Sequence, residues 1–504
     1  MSSIDKFSGS FKSLYSKTSW IAWVALLLFI PISSFPLLAK YTGGANVSPL
    51  SLVPLLFLAV FWFIPFLIRG GRLPLLSIPL LGFAVIAVLS CFRAPFLEIF
   101  PFKGQTLISR ELRAVVTLVI GLGFYFIASC FPRSRKELRS SIRWISVGAA
   151  IMFIWATVQI FRLPYSFNPQ PEILQKIHSF FTTTILFRDR VTGMAYEPSW
   201  LADQLTILFL PLWLASVLKG YTAFPFKLWR ISVETLLLIW GILVLFFSYS
   251  RIGLVAFLAT IGVLIFSRSI NFVKRLAEKK HPSSRLSQRQ LQWVYFLGIL
   301  FLFLVVVVGV VYLAYLTNER IQNMLTINLP SILQSKRLPP FYNLINHLEY
   351  AERLMYWISA FLVFSQFPFL GVGLGNAGFF FRQVVPAFGY YLPELLLILD
   401  ARRDAFANPK SLWLRLLAET GILGFLTFIS FLVIMALAAL WLNRHKKGLA
   451  SVLGLATSLA MVALIFEGFS LDTFALPQLW IILGLLSAAL MINSQETDPV
   501  EQAT

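Results

Sequence analysis

Long uninterrupted apolar runs dominate the chain, and short polar segments separate them. An α-helix of about 17–25 apolar residues is long enough to cross a bilayer. We expect each such run to form a helix, because lipid offers the backbone no hydrogen-bond partners. The twelve predicted spans are 20–38, 48–68, 73–92, 113–131, 144–161, 199–218, 231–250, 252–267, 292–316, 412–440, 449–467 and 473–492.

The composition supports the same class of protein. Of 504 residues, 58% are hydrophobic and 13% are charged, whereas a soluble protein carries roughly 25% charged residues. So little charged surface cannot cover a soluble fold of this size. The sequence therefore predicts an all-α polytopic membrane protein with about twelve transmembrane helices.

The distribution of Lys and Arg predicts the orientation. Lys6, Lys12 and Lys17 precede the first run, and the segments Pro132–Arg143 and Arg268–Arg289 are strongly basic. Basic segments stay on the cytoplasmic side, so both termini are predicted to be cytoplasmic. The first run is too long for a signal-peptide core and lacks a cleavage site, which indicates an uncleaved span.

This topology divides the chain into a membrane domain (1–316, spans 1–9), a large periplasmic loop (317–411), a second membrane part (412–492, spans 10–12) and a cytoplasmic tail (493–504). A further outer segment covers 162–198. The stretch Ala351–Phe367 is an alternative thirteenth span, which would move the C-terminal tail outside. We favour an amphipathic helix on the outer face, because Glu352 and Arg353 precede apolar residues at helical spacing.

Ionisable residues beside lipid are costly and usually functional. In the predicted topology they converge on the outer boundary of the membrane. The polar segments concerned are Arg188–Ser199, Ser248–Arg251, Glu352–Arg353 and Asp400–Lys410, with Glu419 just inside the tenth span.

Several of these segments resemble the bacterial O-antigen ligase/polymerase (Wzy-like) superfamily. The matching motifs are EPSW at 197–200, SYSR at 248–251, R353xxxW357 followed by PFLGVGLGN at 368–376, and KSLWLRLLAETGILG at 410–424. The resemblance implies a glycosyltransferase-C-like membrane enzyme, metal-independent, inverting and without a cofactor. Its donor and acceptor would be glycans on polyprenyl pyrophosphate, joined at the outer face of the bacterial inner membrane. A chain-length regulator is a candidate partner.

One position departs from the ligase branch of that superfamily. Ser411, Gly421 and Gly424 fit its closing motif, but Lys410 occupies the position of the ligase histidine. Lysine is a fixed cation suited to phosphate and a poor base unless desolvated. The sequence therefore favours an O-antigen or exopolysaccharide polymerase over a ligase.

The chemistry of a pyrophosphate leaving group assigns roles to these residues. Cationic side chains must stabilise the charge that develops, and planar guanidinium groups suit phosphate oxygens. The predicted pyrophosphate ligands are Arg190, Arg251 and Arg353, the predicted catalytic residues are Glu197 as base and Lys410, and the secondary candidates are Arg402, Arg403 and Glu419. No DxD motif or metal-ligand histidine spacing is present, so a nucleotide-sugar mechanism that depends on a divalent metal is not expected. The basic loops are interpreted as topology signals, so no nucleic-acid partner is expected.

Each candidate also has a purely structural interpretation. Arg251 would be an interfacial anchor, Glu197 a helix start before Pro198, Arg353 a partner of Glu349, Lys410 a solvated helix-start residue, and Glu419 a partner of Arg415. For Glu419, and for Gly371, Gly373 and Gly375 as a simple turn, the structural interpretation is favoured.

Two other functions remain open. A ligase would transfer glycan to a lipid A core or another acceptor. A small-anion transporter is a candidate of a different class, but transporters bind substrate near the membrane midplane. Only Asp203 and Glu234 depart from the clustering of ionisable residues at one face.

The predicted orientation can be tested by cysteine labelling. A cysteine at Ser335 should react with a membrane-impermeant thiol reagent in intact cells, whereas one at Ser284 should not, because basic loops are retained inside. The opposite labelling pattern would reverse the topology and move the predicted site to the cytoplasmic face.

Overall fold

The fold is almost entirely helical. The computed structural model describes residues 2–42, 47–97, 99–162, 172–278, 287–327, 330, 339–403 and 405–495. Its α-helices are α1 Ser2–Leu28, α2 Pro36–Thr42, α3 Leu52–Leu58, α4 Ile64–Ile68, α5 Ile78–Cys91, α6 Leu107–Cys130, α7 Arg135–Arg162, α8 Glu172–Ser179, α9 Pro198–Gln204, α10 Leu210–Leu218, α11 Val233–Phe247, α12 Arg251–Glu278, α13 Gln288–Thr317, α14 Glu319–Leu325, α15 Pro340–His347, α16 Ala351–Gln366, α17 Ala377–Val384, α18 Pro393–Leu399, α19 Leu412–His445, α20 Gly448–Glu467 and α21 Pro477–Gln495.

Short elements of other types complete the fold. Two π-helical turns (Ala59–Phe63, Leu205–Phe209) join α3 to α4 and α9 to α10. Three 3-10 turns cover Leu75–Ser77, Ala94–Phe96 and Ala387–Tyr391. The strands β1 Lys227–Leu228 and β2 Ile231–Ser232 form one antiparallel hairpin.

Among the described residues, nine helices are long and apolar enough to cross a membrane. They are Leu75–Phe96, Leu107–Cys130, Arg135–Arg162, Pro198–Leu218, Arg251–Ser269, Arg289–Thr317, Leu412–His445, Gly448–Glu467 and Pro477–Ser494. The shorter apolar helices Leu52–Ile68 and Val233–Phe247 coincide with the second and seventh predicted spans. The prediction of an all-α polytopic membrane protein is thus confirmed, and the count of twelve spans stays a prediction.

The first predicted span is not one continuous helix. Helix α1 ends at Leu28, and α2 begins only at Pro36. Pro31 lies in the gap between them; proline lacks a backbone N–H and disfavours helical backbone at the residue before it. The hydrophobic pattern of 20–38 continues through this break, so the pattern alone did not reveal it.

The interior of the bundle is formed by a few helices that are surrounded by others. The most apolar windows of Pro198–Leu218, Pro477–Ser494 and Gly448–Glu467 are 83%, 78% and 72% buried. Helix α20 packs against α10, α12, α19 and α21. In contrast, the corresponding window of Arg289–Thr317 is 0% buried. Helix α13 packs mainly on α12, so most of its apolar surface is available to lipid.

The segment 317–411 contains five described helices, α14 to α18, rather than an extended loop. Buried side chains including Met355, Phe380 and Leu395 form a hydrophobic cluster of their own. Helix α16 covers the predicted amphipathic helix and packs against α15, α17 and α19. Ser284 and Ser335, the labelling positions, lie outside the described residues, as do most of the predicted tail and parts of both outer segments.

A glycine-rich loop joins this segment to the bundle. Helix α19 is kinked at Gly421, which has a φ of 63°. The amide nitrogens of Val372 and Gly373 donate to the carbonyls of Ala418 and Glu419, each at 3.0 Å, and Ile422 donates to Pro368 at 2.8 Å. The glycines therefore form a docking turn, as expected, since the amides of Val372 and Gly373 are already used.

Gly421→Ala should destabilise the folded protein by about 1–3 kcal/mol, because a non-glycine residue is strained at positive φ. The melting temperature should fall accordingly. A Cβ atom would also overlap the carbonyl group of Phe369. The measurement is the melting temperature of the detergent-solubilised protein by size-exclusion chromatography after heating. Gly309→Ala is the matched control, because a Cβ there meets nothing within 4 Å. Equal melting temperatures for the two variants would contradict the assigned role of the kink.

Candidate functional site

One pocket, of about 290 Å³, brings together all five primary candidates although they span residues 190 to 410. We call it the cationic pocket. Its lining residues are Arg190, Glu197, Pro198, Ser199, Tyr249, Ser250, Arg251, Ile252, Asn318, Arg320, Ile321, Met324, Glu349, Tyr350, Glu352, Arg353, Trp357, Glu394, Lys410, Phe469 and Ser470. The pocket lies where Pro198–Leu218 and Arg251–Ser269 begin and where Arg289–Thr317 and Gly448–Glu467 end. It therefore lies at one end of the helix bundle.

Glu197 stands at the N-cap of α9, directly before Pro198. The backbone has the role expected of a helix start, because the Glu197 carbonyl accepts from Trp200 and Leu201. Its side chain makes no capping hydrogen bond. Within the described part of the chain, the carboxylate has no ion pair or hydrogen bond. The helix-start interpretation thus explains the backbone of Glu197 and leaves its half-buried carboxylate free for chemistry.

Arg251 opens α12 and is more than an interfacial anchor. Its Nη1 donates to the Leu348 carbonyl at 2.6 Å, and its Nη2 donates to the Glu349 carbonyl at 3.3 Å. The guanidinium group also lies 4.3 Å from the ring centre of Tyr350, a favourable cation–π distance. Arg251 thereby fixes the turn that leads into α16.

Glu349 is a pocket residue that the sequence analysis assigned only as a partner of Arg353. Its carboxylate instead forms a close ion pair with Arg320, with Nε of Arg320 donating at 2.7 Å, and lies 3.7 Å from Nη2 of Arg251. The Arg353–Glu349 pair of the alternative structural interpretation is not formed, because Glu349 is held in the turn before α16 at a φ of 54° and contacts the other two arginines.

Arg353 lies in the first turn of α16 and contacts the opposite wall of the pocket. Its Nη1 donates to Oγ of Ser470 at 3.2 Å. The Ser470 amide in turn donates to the Glu467 carbonyl at the end of α20, at 2.8 Å. No ion pair of Arg353 occurs among the described residues, which leaves its other guanidinium donors available to a ligand.

Arg190 approaches the pocket from the first outer segment. Its guanidinium group packs 5.0 Å from the ring centre of Phe187. Its Nε lies 3.7 Å from Oδ1 of Asp189, which is too long for a hydrogen bond, and is buried without a hydrogen-bond partner among the described residues. Burial and the nearby Arg320 lower the pKa of Arg190. Such an arginine gains stability from an anionic ligand.

Lys410 forms a close ion pair with Glu394, and its ammonium group lies 4.7 Å from the ring centre of Tyr356. Ser411, not Lys410, caps α19. The Tyr356 hydroxyl donates to Glu394 at 3.1 Å. Burial raises the pKa of Glu394, but the hydrogen bonds from Lys410 and Glu352 outweigh this effect, and the net pKa is lowered. Glu394 is therefore an anion that holds Lys410 as a cation.

Glu352 shares this corner of the pocket. Its Oε1 accepts from the Glu394 amide at 3.3 Å. Burial, and then the adjacent Glu394 carboxylate, raise the pKa of Glu352. The protonated form of Glu352 is consequently favoured relative to a free glutamate.

The summed charge of the lining suits an anion. Five cationic side chains and four carboxyl groups line the pocket, a formal charge of +1, or +2 when Glu352 is protonated. Two of the carboxylates, Glu349 and Glu394, are already paired with cations. The lining therefore keeps a small net positive charge, which suits an anionic group such as phosphate.

The secondary candidates do not line the pocket. Arg402 is 91% exposed and pairs with Asp400 at 3.4 Å, and Arg403 belongs to the same exposed turn. Glu419 is buried and pairs with Arg415 at 2.8 Å, as the structural interpretation expected. Within the described ranges, no group of three or more His, Cys, Asp or Glu could hold a metal ion.

The two acidic residues set apart in the sequence each have hydrogen-bond partners and lie outside the cationic pocket. Glu234, at the start of α11, accepts from Thr222 at 3.0 Å and from the Ala223 amide at 2.6 Å. Asp203, near the start of its span, accepts from Gln478. Neither lies in the middle of a span, where a transporter would bind its substrate.

Four charged residues of the pocket were not identified as site residues from the sequence. They are Arg320, Glu349, Glu352 and Glu394. Charged residues at the ends of helices within 317–411 were the available signal. Local spacing could not show which of them face the pocket, because α14, α16 and α18 converge only in three dimensions.

Part of the chain is similar to a known protein family. The model of the O-antigen ligase family matches residues 236–429, a range that contains Arg251, Arg353 and Lys410 and excludes Arg190 and Glu197. No curated protein matches the chain. This partial match confirms the resemblance of the chain to the O-antigen ligase/polymerase superfamily over these residues and does not separate the two branches.

Proposed function

We propose that this protein is a polymerase that joins lipid-linked oligosaccharide repeat units into O-antigen or exopolysaccharide. Glycan transfer of the O-antigen ligase/polymerase type is supported by the family domain. The observation that carries the proposal is the convergence of Glu197 with four cationic residues, all selected from the sequence, on one pocket. The substrate would be a glycan on polyprenyl pyrophosphate, and the pocket would face the periplasm.

The proposed reaction forms one glycosidic bond and breaks one sugar–phosphate bond. The acceptor hydroxyl oxygen attacks the anomeric carbon from the side opposite the pyrophosphate, which inverts the configuration. Glu197 accepts the hydroxyl proton. The bonding electrons leave with the polyprenyl pyrophosphate, whose developing charge is stabilised by Arg190, Arg251, Arg353 and Lys410.

A ligase remains the second candidate, because the matching family is described by that activity. Lys410 at the position of the ligase histidine supports the polymerase instead. Its side chain is engaged in an ion pair with Glu394, which suits a fixed cation rather than a catalytic base. Transport of a small anion has less support, because the charged pocket lies at one end of the bundle.

Turnover by the purified protein distinguishes these functions. A polymerase given lipid-linked repeat units alone should yield a ladder of products on a gel, in the presence of EDTA. A ligase should yield product only when a lipid A core acceptor is added. Absence of product under both conditions would contradict glycan transfer.

Arg251→Lys and Arg353→Lys should each reduce polymerisation by about a hundredfold, because a lysine cannot reproduce the planar, multiple hydrogen bonds that position the leaving group. For Arg251 the substitution also removes contacts to the Leu348 and Glu349 carbonyls. Initial rates of ladder formation give the measurement. Arg444→Lys, at the exposed last turn of α19, is the matched control and should retain the wild-type rate. Near-wild-type rates for both pocket variants would reduce these arginines to structural anchors.

Glu197→Gln should abolish nearly all polymerisation while polyprenyl pyrophosphate still binds, because glutamine has a similar shape and cannot accept the proton. Lys410→Arg should keep measurable polymerisation, because arginine preserves the charge that faces Glu394. Binding and turnover are measured on the same preparations. An active Glu197→Gln variant together with an inactive Lys410→Arg variant would instead assign Lys410 as the base.

A further inference from the structure

A second, larger cavity adjoins the cationic pocket. Its volume is about 1030 Å³, at the upper end of the range of roughly 300–1,000 Å³ for ligand sites. The cavity lies between the ends of α7, α11 and α13, with α14 and the end of α15 as its other walls. Its lining includes the aromatic rings of Phe161, Phe247 and Tyr249 and the polar side chains of Arg320, Asn323 and His347.

The two cavities share a wall. Tyr249, Asn318, Arg320, Met324 and Glu349 line both of them. The Arg320–Glu349 ion pair is thus the charged partition between them. Asn318 fixes this wall, because it caps α14 through Ile321 and donates to the Asp189 carbonyl at 3.2 Å. A ligand in the large cavity therefore lies directly beside one in the cationic pocket.

The lining of the large cavity combines polar groups with aromatic rings, a combination that can bind a saccharide. It presents guanidinium, carboxylate, amide and imidazole groups, which can donate to or accept from sugar hydroxyls. Phe161, Phe247 and Tyr249 add aromatic rings. Nε2 of His347 is buried and has no hydrogen-bond partner in the described part of the chain. A buried polar atom of this kind requires a partner, which a hydroxyl group can supply.

We propose that this cavity binds the acceptor saccharide, with the donor pyrophosphate in the adjoining cationic pocket. The inference rests on the proposed glycan transfer and adds the location of the second substrate. A joining reaction needs two glycans at one centre at the same time, and the shared wall of Tyr249 and the Arg320–Glu349 pair places the two sites side by side. An acceptor bound there carries its hydroxyl toward the wall that the two cavities share.

Asn323 offers a selective test, because it lines the large cavity and not the cationic pocket. Asn323→Trp should fill part of the cavity. The matched control is Gln322→Trp on the same short helix, an exposed residue that lines neither cavity. The acceptor probe is a fluorescent repeat unit on a short alkyl chain, which lacks pyrophosphate and cannot act as donor. The donor-side probe is polyprenyl pyrophosphate.

Asn323→Trp should weaken binding of the acceptor probe by about tenfold or more, equivalent to roughly 1.4 kcal/mol. Its affinity for polyprenyl pyrophosphate should stay within about twofold of wild type, because Asn323 does not line the cationic pocket. Gln322→Trp should match wild type in both assays. Asn323→Ala, which adds no bulk, should retain detectable acceptor binding and so separates filling of the cavity from misfolding.

Other results would overturn the assignment. Unchanged acceptor binding in Asn323→Trp would place the acceptor elsewhere. A selective loss of polyprenyl pyrophosphate binding would make the cavity part of the donor site. Acceptor binding is measured without turnover, so failure of wild-type protein to transfer glycan would contradict the proposed function while leaving this cavity tested independently.

Discussion

The repulsion among cationic side chains in one small pocket is the constraint on which the site depends. Charges repel one another more strongly beside a low-dielectric bundle than in water. Glu349 compensates Arg251 and Arg320, and Glu394 compensates Lys410. Arg353 has no ion pair among the described residues, and Arg190 pairs at 3.7 Å with Asp189, which does not line the cationic pocket. This uneven pairing keeps the pocket folded while leaving it positive for an anionic ligand.

The same carboxylates connect the pocket to the fold. Glu349 belongs to the turn that Arg251 fixes, and Glu394 belongs to α18, beside α16. Movement of segment 317–411 away from the bundle would separate Glu349 from Arg251 and break the Arg251 hydrogen bonds to the Leu348 and Glu349 carbonyls. Val372 and Gly373 dock beside the kink at Gly421 and hold the middle of this segment against α19. Membrane helices and outer helices thus form one site.

The sequence predicted the membrane helices well because lipid imposes a length and an apolar composition on each of them. The predicted starts of three spans agree within about two residues with the observed helix starts at Pro198, Arg251 and Leu412. Two residues is the usual uncertainty of helix ends. The break after Leu28 was not predicted, because Pro31 interrupts the backbone without interrupting the apolar pattern. The kink at Gly421 was missed for the same reason.

The site was predicted in part. Residues at span ends, such as Glu197 and Arg251, were expected on one membrane face, and the structure brings them to one pocket, while their roles stay predictions. The partners Arg320 and Glu394 were not predicted, because tertiary packing of the outer helices determines their position. Arg402 and Arg403 lie near Lys410 in sequence, yet they project from an exposed turn. Sequence proximity was therefore a weaker guide than the common membrane face.

The central claim is that the cationic pocket binds a lipid-linked pyrophosphate. The most direct measurement is a cryo-EM structure of the protein in lipid nanodiscs with polyprenyl pyrophosphate. We expect density for the two phosphates within hydrogen-bond distance of Arg353 and Arg190. Arg251 should still be bound to the Leu348 carbonyl. Phosphate density outside the cationic pocket, or an unchanged empty pocket at saturating ligand, would contradict it.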